Sequence, residues 1–463
     1  MQVVRTDSGY ISGTVLGDPD KPVRVFRGIP YAAPPLGDLR WKPPQPVAPW
    51  SGMRECTAFS ARAPQSNPPD YKSNDPRPES EDCLYLNVLT PARTSAERLP
   101  VMVWFHPGAL IVGTANDSTF NATPLPSHGV VLVNVNSRLG PLGLLAHPLL
   151  SRESPNGVSG NYLFLDLVAA LKWVQRNISA FGGSPDNVTI FGESGGSTKV
   201  VNLMASPLAK GLFHRAIGQS ECGMGTSLAE MESRGRMLFS RLGVDGEPDP
   251  LAAARALPWQ KIIEAGCAVT ADLKVPWGPP WSAWDSTVDG WFLPDTPAEV
   301  FQSGKQNVVP MILGATLGEV TVPGWIWMPW VIPGYVRLFK GASSAGGRAY
   351  AYIFDHVPAG WKRLGAVCSH GRDLTYPFGD LDRTSPYWMM PPPGITERDP
   401  GFTDADRSVS ETMMTMWTNF ARTGDPCIPG VLDWPAWDEV TDRYLYITEK
   451  PQVRSGFSNV GQK

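Results

Sequence analysis

The sequence holds no apolar run near the roughly 18 residues a membrane-spanning helix needs, so no span is expected. It carries no strong charge of either sign. Forty Lys and Arg stand against 44 Asp and Glu, for a net charge of −4. That balance gives no electrostatic reason to expect nucleic acid or an anionic membrane as a partner. Internal repeats and low-complexity blocks are missing. Histidine is scarce, at six, and none falls in H-E-x-x-H or another ligand spacing, so no metal or cofactor is expected. The opening MQVVRTDSGYISG has no basic-then-apolar leader and reads as a hairpin, so an export signal is either absent or removed. Cysteine is sparse too, at six, but the even count is compatible with disulfides. A secreted or periplasmic location is therefore expected, with the cytoplasm as the alternative.

The 463 residues are 42% hydrophobic and 18% charged, an ordinary globular composition. Proline (47) and glycine (46) are abundant, so loops should be long and well punctuated. Seventeen Trp suit either core packing or a wide apolar pocket. Short apolar runs bounded by turns occur at 101–105 (VMVWF), 130–135 (VVLVNV), 188–191 (VTIF) and 309–313 (VPMIL), and a further strand reads as AYAYIF, 349–354. Such runs fit central strands of a parallel sheet covered on both faces. Helical patterns lie between them, clearest over 163–178 and 405–422. Alternating strands and helices predict an α/β architecture, with a mostly parallel central sheet covered by helices on both faces.

FGESGGS, Phe191–Ser197, places G-x-S-x-G between the strand VTIF and the helical KVVNLMA. That context fits a nucleophile elbow, in which Ser194 stands on a tight turn at a strand's carboxyl end. A Gly-rich turn with an incidental serine is the plainer reading. A serine hydroxyl needs a base, and the base a carboxylate to orient it. Among the histidines, His370 in CSHGRDLTYPFG and His356 in FDHVPAG follow the later strand. Glu319, in LGATLGEVTVP, is the carboxylate candidate.

The chain resembles the type-B carboxylesterases, a family that includes bacterial p-nitrobenzyl esterases, fungal lipases and cholinesterases. The resemblance rests on FRGIPYAAPPLGDLRW, SEDCLYLNV, NSRLGPLGLL, GNYLFLDLVAALKWVQRNISAFGGSPDNVTIFGESGGS, the loop around Glu319, HGRDLTYPFG and MMTMWTNFARTGDP. These span nearly the whole chain in preserved order. The resemblance implies the α/β-hydrolase fold over 1–463 as one catalytic domain. It implies Ser194 as nucleophile, His370 as general base and Glu319 as the residue orienting His370. In FHPGALIVG, Phe105–Gly113, it puts oxyanion donors at Gly108 and Ala109, with Gly195 as the third. The family usually has Gly where Pro107 stands. Proline lacks an N–H, but the donors are the next two residues, so the hole should survive. His106 is read as structural.

The resemblance further implies ion pairs Arg40–Glu81 and Arg138–Asp166 and a disulfide Cys56–Cys83. Cys222 and Cys267 are offered as a second bridge, while Cys368 and Cys427 stay unassigned. Ser73 stands where cholinesterases carry a choline-binding Trp, which argues against that branch. Glu319 and His370 are only 51 residues apart, shorter than in the family, so a more open site is expected. Segments 206–300 and 320–345 are expected to cover the pocket. Two Trp-rich stretches, 277–291 and 322–336, read as pocket wall, as ordinary packing or as an interfacial surface. Leu110, Trp284 and Trp325 are the candidate lining residues. The expected activity is hydrolysis, through an acyl-enzyme, of small hydrophobic or aromatic esters by a monomer or weak dimer. A lipase, a carbamate or amide hydrolase, a natural-product esterase and a non-catalytic binding protein are the alternatives.

Overall fold

The computed structural model describes residues 2–65, 77–273, 283–323, 327–382, 391–392 and 394–462. Its frame is a 13-stranded sheet. The first strands are β1 (Gln2–Arg5), β2 (Tyr10–Leu16), β3 (Val23–Pro30), β4 (Met53–Glu55) and β5 (Tyr85–Thr90). The central strands are β6 (Leu99–Phe105), β7 (Val131–Val135), β8 (Gly183–Glu193) and β9 (Arg215–Gln219). A separate two-stranded sheet pairs β10 (Thr226–Ser227) with β11 (Thr287–Val288). The main sheet closes with β12 (Met311–Thr316), β13 (Ala349–Phe354), β14 (Arg443–Ile447) and β15 (Gln452–Ser455). Its order is β1-β2-β3-β5-β7-β6-β8-β9-β12-β13-β14-β15, with β4 paired to β2. From β7 to β14 every neighbouring pair is parallel.

The unbroken apolar runs of the central strands reflect two cores rather than one. In β6, Val101, Val103 and Phe105 face one cluster, while Met102 and Trp104 face the other. Alternation along a strand sends successive side chains to opposite faces, so both parities must be apolar when helices cover both sides. Helix Tyr162–Asn177 buries Leu163, Leu167, Leu171 and Val174 in the first cluster. Helix Asp404–Thr423 buries Met413, Trp417 and Phe420 in the second.

One expectation about covering segments needs correction. Residues 206–300 do not simply overlie the sheet, because β9 lies between β8 and β12 at its centre. Helix Val331–Ser344, within 320–345, packs Tyr335, Leu338 and Phe339 into the core, and the Tyr335 hydroxyl bonds Gly314 O of β12 at 3.3 Å. It is a sheet-flanking helix, because its apolar stripe is used against the sheet.

The disulfide expectation also fails. Cys56 and Cys83 are both buried free thiols, and Cys222 is a buried thiol that makes no bridge to Cys267. The Cys56 thiol turns towards Gly28 O, at 4.0 Å, and its backbone is fixed by an N–H bond to Ser12 O at 2.8 Å and a bond from the Arg27 N–H to its carbonyl at 2.7 Å. Burial pushes the Cys83 thiol well above its ordinary range. Both side chains serve as small buried apolar groups.

Candidate active site

The carboxyl ends of β6, β8, β9 and β12 converge on one edge of the sheet, where α/β folds place their sites. β8 ends at Glu193, and helix Gly195–Ala205 begins directly after Ser194. Ser194 itself has φ +53° and ψ −123°, a conformation that L side chains avoid. Its N–H donates to Gln219 O of β9 at 2.8 Å, which anchors the turn. The glycines of the motif answer crowding. A Cβ on Gly192 would lie 2.5 Å from the Gly196 carbonyl, and one on Gly196 would strike Phe105 O.

Glu319 sits in helix Leu317–Thr321, at the end of β12, with no exposure. One carboxylate oxygen accepts the Thr316 N–H at 2.9 Å. The other lies 2.5 Å from His370 Nδ1. A buried carboxylate there favours the tautomer with the proton on Nδ1, leaving Nε2 to act as base. The His370 loop is seated on this helix through Gly318, whose N–H donates to Cys368 O at 2.8 Å. A Cβ on Gly318 would come within 2.5 Å of that oxygen.

At Nε2 the recorded contact is with Glu193 Oε1, at 3.3 Å. Among the described residues no hydrogen bond joins Nε2 to the Ser194 hydroxyl; in unliganded sites such bonds are often long. Burial pulls the His370 pKa down, but the carboxylates of Glu193 and Glu319 outweigh it and raise the imidazole to about 9. Burial pushes Glu193 up to about 8. The two titrate as a pair: ionised Glu193 holds His370 cationic, and protonated Glu193 lets it be neutral. Behind them lies Asp373, pushed up to about 6 by burial and by Glu319. Its Oδ2 accepts from Gln219 Nε2 and from the Tyr352 hydroxyl, each at 2.9 Å.

After β6 the chain turns through Gly108 (φ +109°), Ala109 (φ +51°) and Leu110 (φ +66°). The Ile111 and Val112 amides bond back to Gly108 O at 3.0 and 2.9 Å. Among the described residues neither the Gly108 nor the Ala109 N–H donates to a protein acceptor. Gly195 lies against them, since a Cβ there would sit 2.7 Å from Ala109 N. The fold thus brings together all three expected donors. Pro107 O accepts the His106 ring at 2.7 Å, and His106 is buried.

The family model of the carboxylesterase family matches residues 1–329 and 330–461. The chain belongs to the carboxylesterase family. It is 30% identical over 504 aligned positions to a para-nitrobenzyl esterase of Bacillus subtilis (strain 168), covering 98% of this chain and 96% of that protein. Carboxylesterase 1C of Mus musculus is 32% identical, with 96% and 89% covered. A fumonisin B1 esterase of Sphingopyxis macrogoltabida is 40% identical over 327 residues; that match covers 68% of this chain and 56% of the relative. A solved thermophilic PNB esterase superposes with a TM-score of 0.84 at 28% identity, covering 98% of this chain and 97% of that one. The fold is the α/β-hydrolase fold, and this carboxylesterase is a carboxylic ester hydrolase.

The expected ion pairs are present and buried: Arg40 meets Glu81 at 2.5 Å and Arg138 meets Asp166 at 2.6 Å. Of the expected lining residues, Leu110 is buried beside Ala109. Trp284 is 3% exposed, lies in the larger apolar core and donates its indole N–H to Gly266 O at 3.3 Å. Trp325 and Ser73 lie outside the described residues. Glu193 and Asp373 were missed as site residues. Both stand inside motifs quoted for other reasons, FGESGGS and HGRDLTYPFG, and an acidic residue beside each reactive side chain was the available signal.

Proposed function

We propose that Ser194 hydrolyses small carboxylic esters with a hydrophobic or aromatic group, with His370 as general base and Glu319 orienting it. The Glu319–His370 hydrogen bond, two elements from a strained serine, carries this reading. Ser194 Oγ attacks the carbonyl carbon while His370 Nε2 takes its proton. The N–H groups of Gly108, Ala109 and Gly195 receive the oxyanion, and the helix N-terminus behind Ser194 favours negative charge there. As the tetrahedral species collapses, His370 returns the proton to the departing alkoxide. Water, deprotonated by the same Nε2, then releases the acid and frees Ser194.

The test is turnover of p-nitrophenyl esters from acetate to palmitate by the protein and by Ser194→Ala. Turnover that vanishes in the variant supports the reading, and a short-chain optimum assigns an esterase preference over a lipase one. Absence of turnover in the intact protein refutes it. The 40% identity to a fumonisin B1 esterase favours a second substrate class, esters of larger natural products. Acid release from fumonisin B1, measured beside the p-nitrophenyl series, separates the two.

A further inference from the structure

Lys199 has no part in the chemistry above, yet it is held where a lysine is expensive. It lies on the second turn of the helix that starts at Ser194 and is 1% exposed. Among the described residues no carboxylate pairs with it. Its one recorded partner is the backbone carbonyl of His106, 3.0 Å from Nζ. Burial with no counter-ion pushes the ammonium down to about 7. An aliphatic residue would fill the same space without that penalty, so the charge needs a use.

The partner suggests the use. Helical side chains lean towards the N-terminus. Lys199 therefore reaches back past Gly195 and Gly196, towards the loop that follows β6. His106 O belongs to the peptide preceding Pro107. That peptide has no N–H, so its carbonyl is the only backbone handle by which it can be held. The next carbonyl, Pro107 O, is held by the His106 ring at 2.7 Å. Directly beyond come three consecutive residues with positive φ, Gly108, Ala109 and Leu110. Two of the three are not glycine, and such backbone persists only when its surroundings fix it.

We propose that Lys199 is a positioning residue for ester hydrolysis, in which Nζ holds the His106–Pro107 peptide and so aims the Gly108 and Ala109 amides at the substrate's carbonyl oxygen. The proposal rests on the oxyanion role given to those amides under the proposed function. Lys199 touches no reacting atom. It acts through the loop, and it restores a tether at the peptide where Pro107 removes one donor.

Lys199→Met keeps an unbranched stem, one atom shorter, and removes the N–H donor; Lys199→Gln has the same shorter reach but keeps a neutral donor. With p-nitrophenyl butyrate, Lys199→Met should lower kcat by about 10- to 100-fold with KM within about threefold, since a hole displaced by under an ångström fails in the transition state. Lys199→Gln should retain more, losing about three- to tenfold. Hydrogen exchange of the peptide covering 105–113 should quicken in both variants, more in Lys199→Met. A folded Lys199→Met with the wild-type kcat and exchange rate overturns the proposal. So does a lower kcat that disappears once rates are divided by active sites, counted from the p-nitrophenol burst. If Lys199→Met does not fold, Lys199→Gln decides, and unchanged kcat and exchange in it overturn the proposal. If the wild type turns over no ester, the proposed function fails, and the exchange comparison alone still decides whether Lys199 holds the loop.

Discussion

At Gly195 the space for a side chain is already taken. A Cβ there would stand 2.7 Å from the Ala109 nitrogen and 3.0 Å from its Cα, both backbone atoms of the loop proposed to hold the oxyanion. Ala109 cannot yield without moving its own amide, which sits at φ +51°. Gly195→Ala, a single methyl, should therefore lower kcat by about 100-fold, as the loss of one oxyanion donor does. Steady-state rates with any turned-over p-nitrophenyl ester check this, and a variant within twofold of wild type would mean that the loop relaxes freely. Glu193 supports a second prediction. The base form of His370 is neutral, so activity should rise with pH through the folded pKa, which stands at about 9 against an ordinary 6.5. Burial works against that rise and the Glu193 carboxylate works for it. Glu193→Gln removes a negative charge 3.3 Å from Nε2, so His370 loses its proton at lower pH. The acid limb of the kcat/KM profile should move towards lower pH. A limb that stays in place would show that Glu193 does not set the base.

Elements carry the site residues to one edge, and their legibility varied for physical reasons. β6, β7, β8, β12 and β13 show as apolar runs because both of their faces are covered. β9, RAIGQ, hides because it is short, includes Gly218 and ends in a polar residue. Its burial comes from lying between β8 and β12, which no local pattern encodes. Gly218 is there because a Cβ would meet the Ser197 hydroxyl at 2.6 Å. Trp284 shows the converse: a tryptophan in a Trp-rich stretch reads equally as wall or core, and its burial and its bond to Gly266 O come from packing that no local pattern encodes. Between elements, Arg138 after β7 and Asp166 on helix Tyr162–Asn177 form a fully buried pair with two side-chain bonds, at 2.9 and 2.6 Å. Arg138 also donates to Lys42 O at 2.8 Å, tying in the loop after β3. Asp166→Ala would leave a buried guanidinium without its carboxylate, at a cost of about 3–5 kcal/mol. Urea unfolding should show the unfolding free energy fall by that amount, with the midpoint moving to lower urea, and a loss below about 1 kcal/mol would place the pair among surface-like contacts.

For the whole molecule, the residues proposed as the triad were readable because each sits in a short motif: Ser194 and Glu319 just past the ends of β8 and β12, His370 in the loop beyond helix Ala359–Arg363. The cross-links were not readable, because cysteine spacing says nothing about Cβ directions or distance. Cys56, Cys83, Cys222 and Cys368 are all buried thiols, belonging to both cores. Burial raises the Cys56 thiol to about 11 and Cys83, Cys222 and Cys368 well above the ordinary value, so little thiolate exists near neutral pH. Three consequences follow for protein purified without reductant. Native protein should react slowly with Ellman's reagent at these four positions, because the thiolate is the reactive species. Protein unfolded in guanidinium should show at least these four thiols. The melting temperature should also be unchanged by dithiothreitol. A native disulfide would contribute about 2–5 kcal/mol, so its reduction would lower the melting temperature by several degrees. Fewer than four thiols, together with such a drop, would mean that covalent bridges hold this fold where the packing of two apolar cores is here taken to suffice.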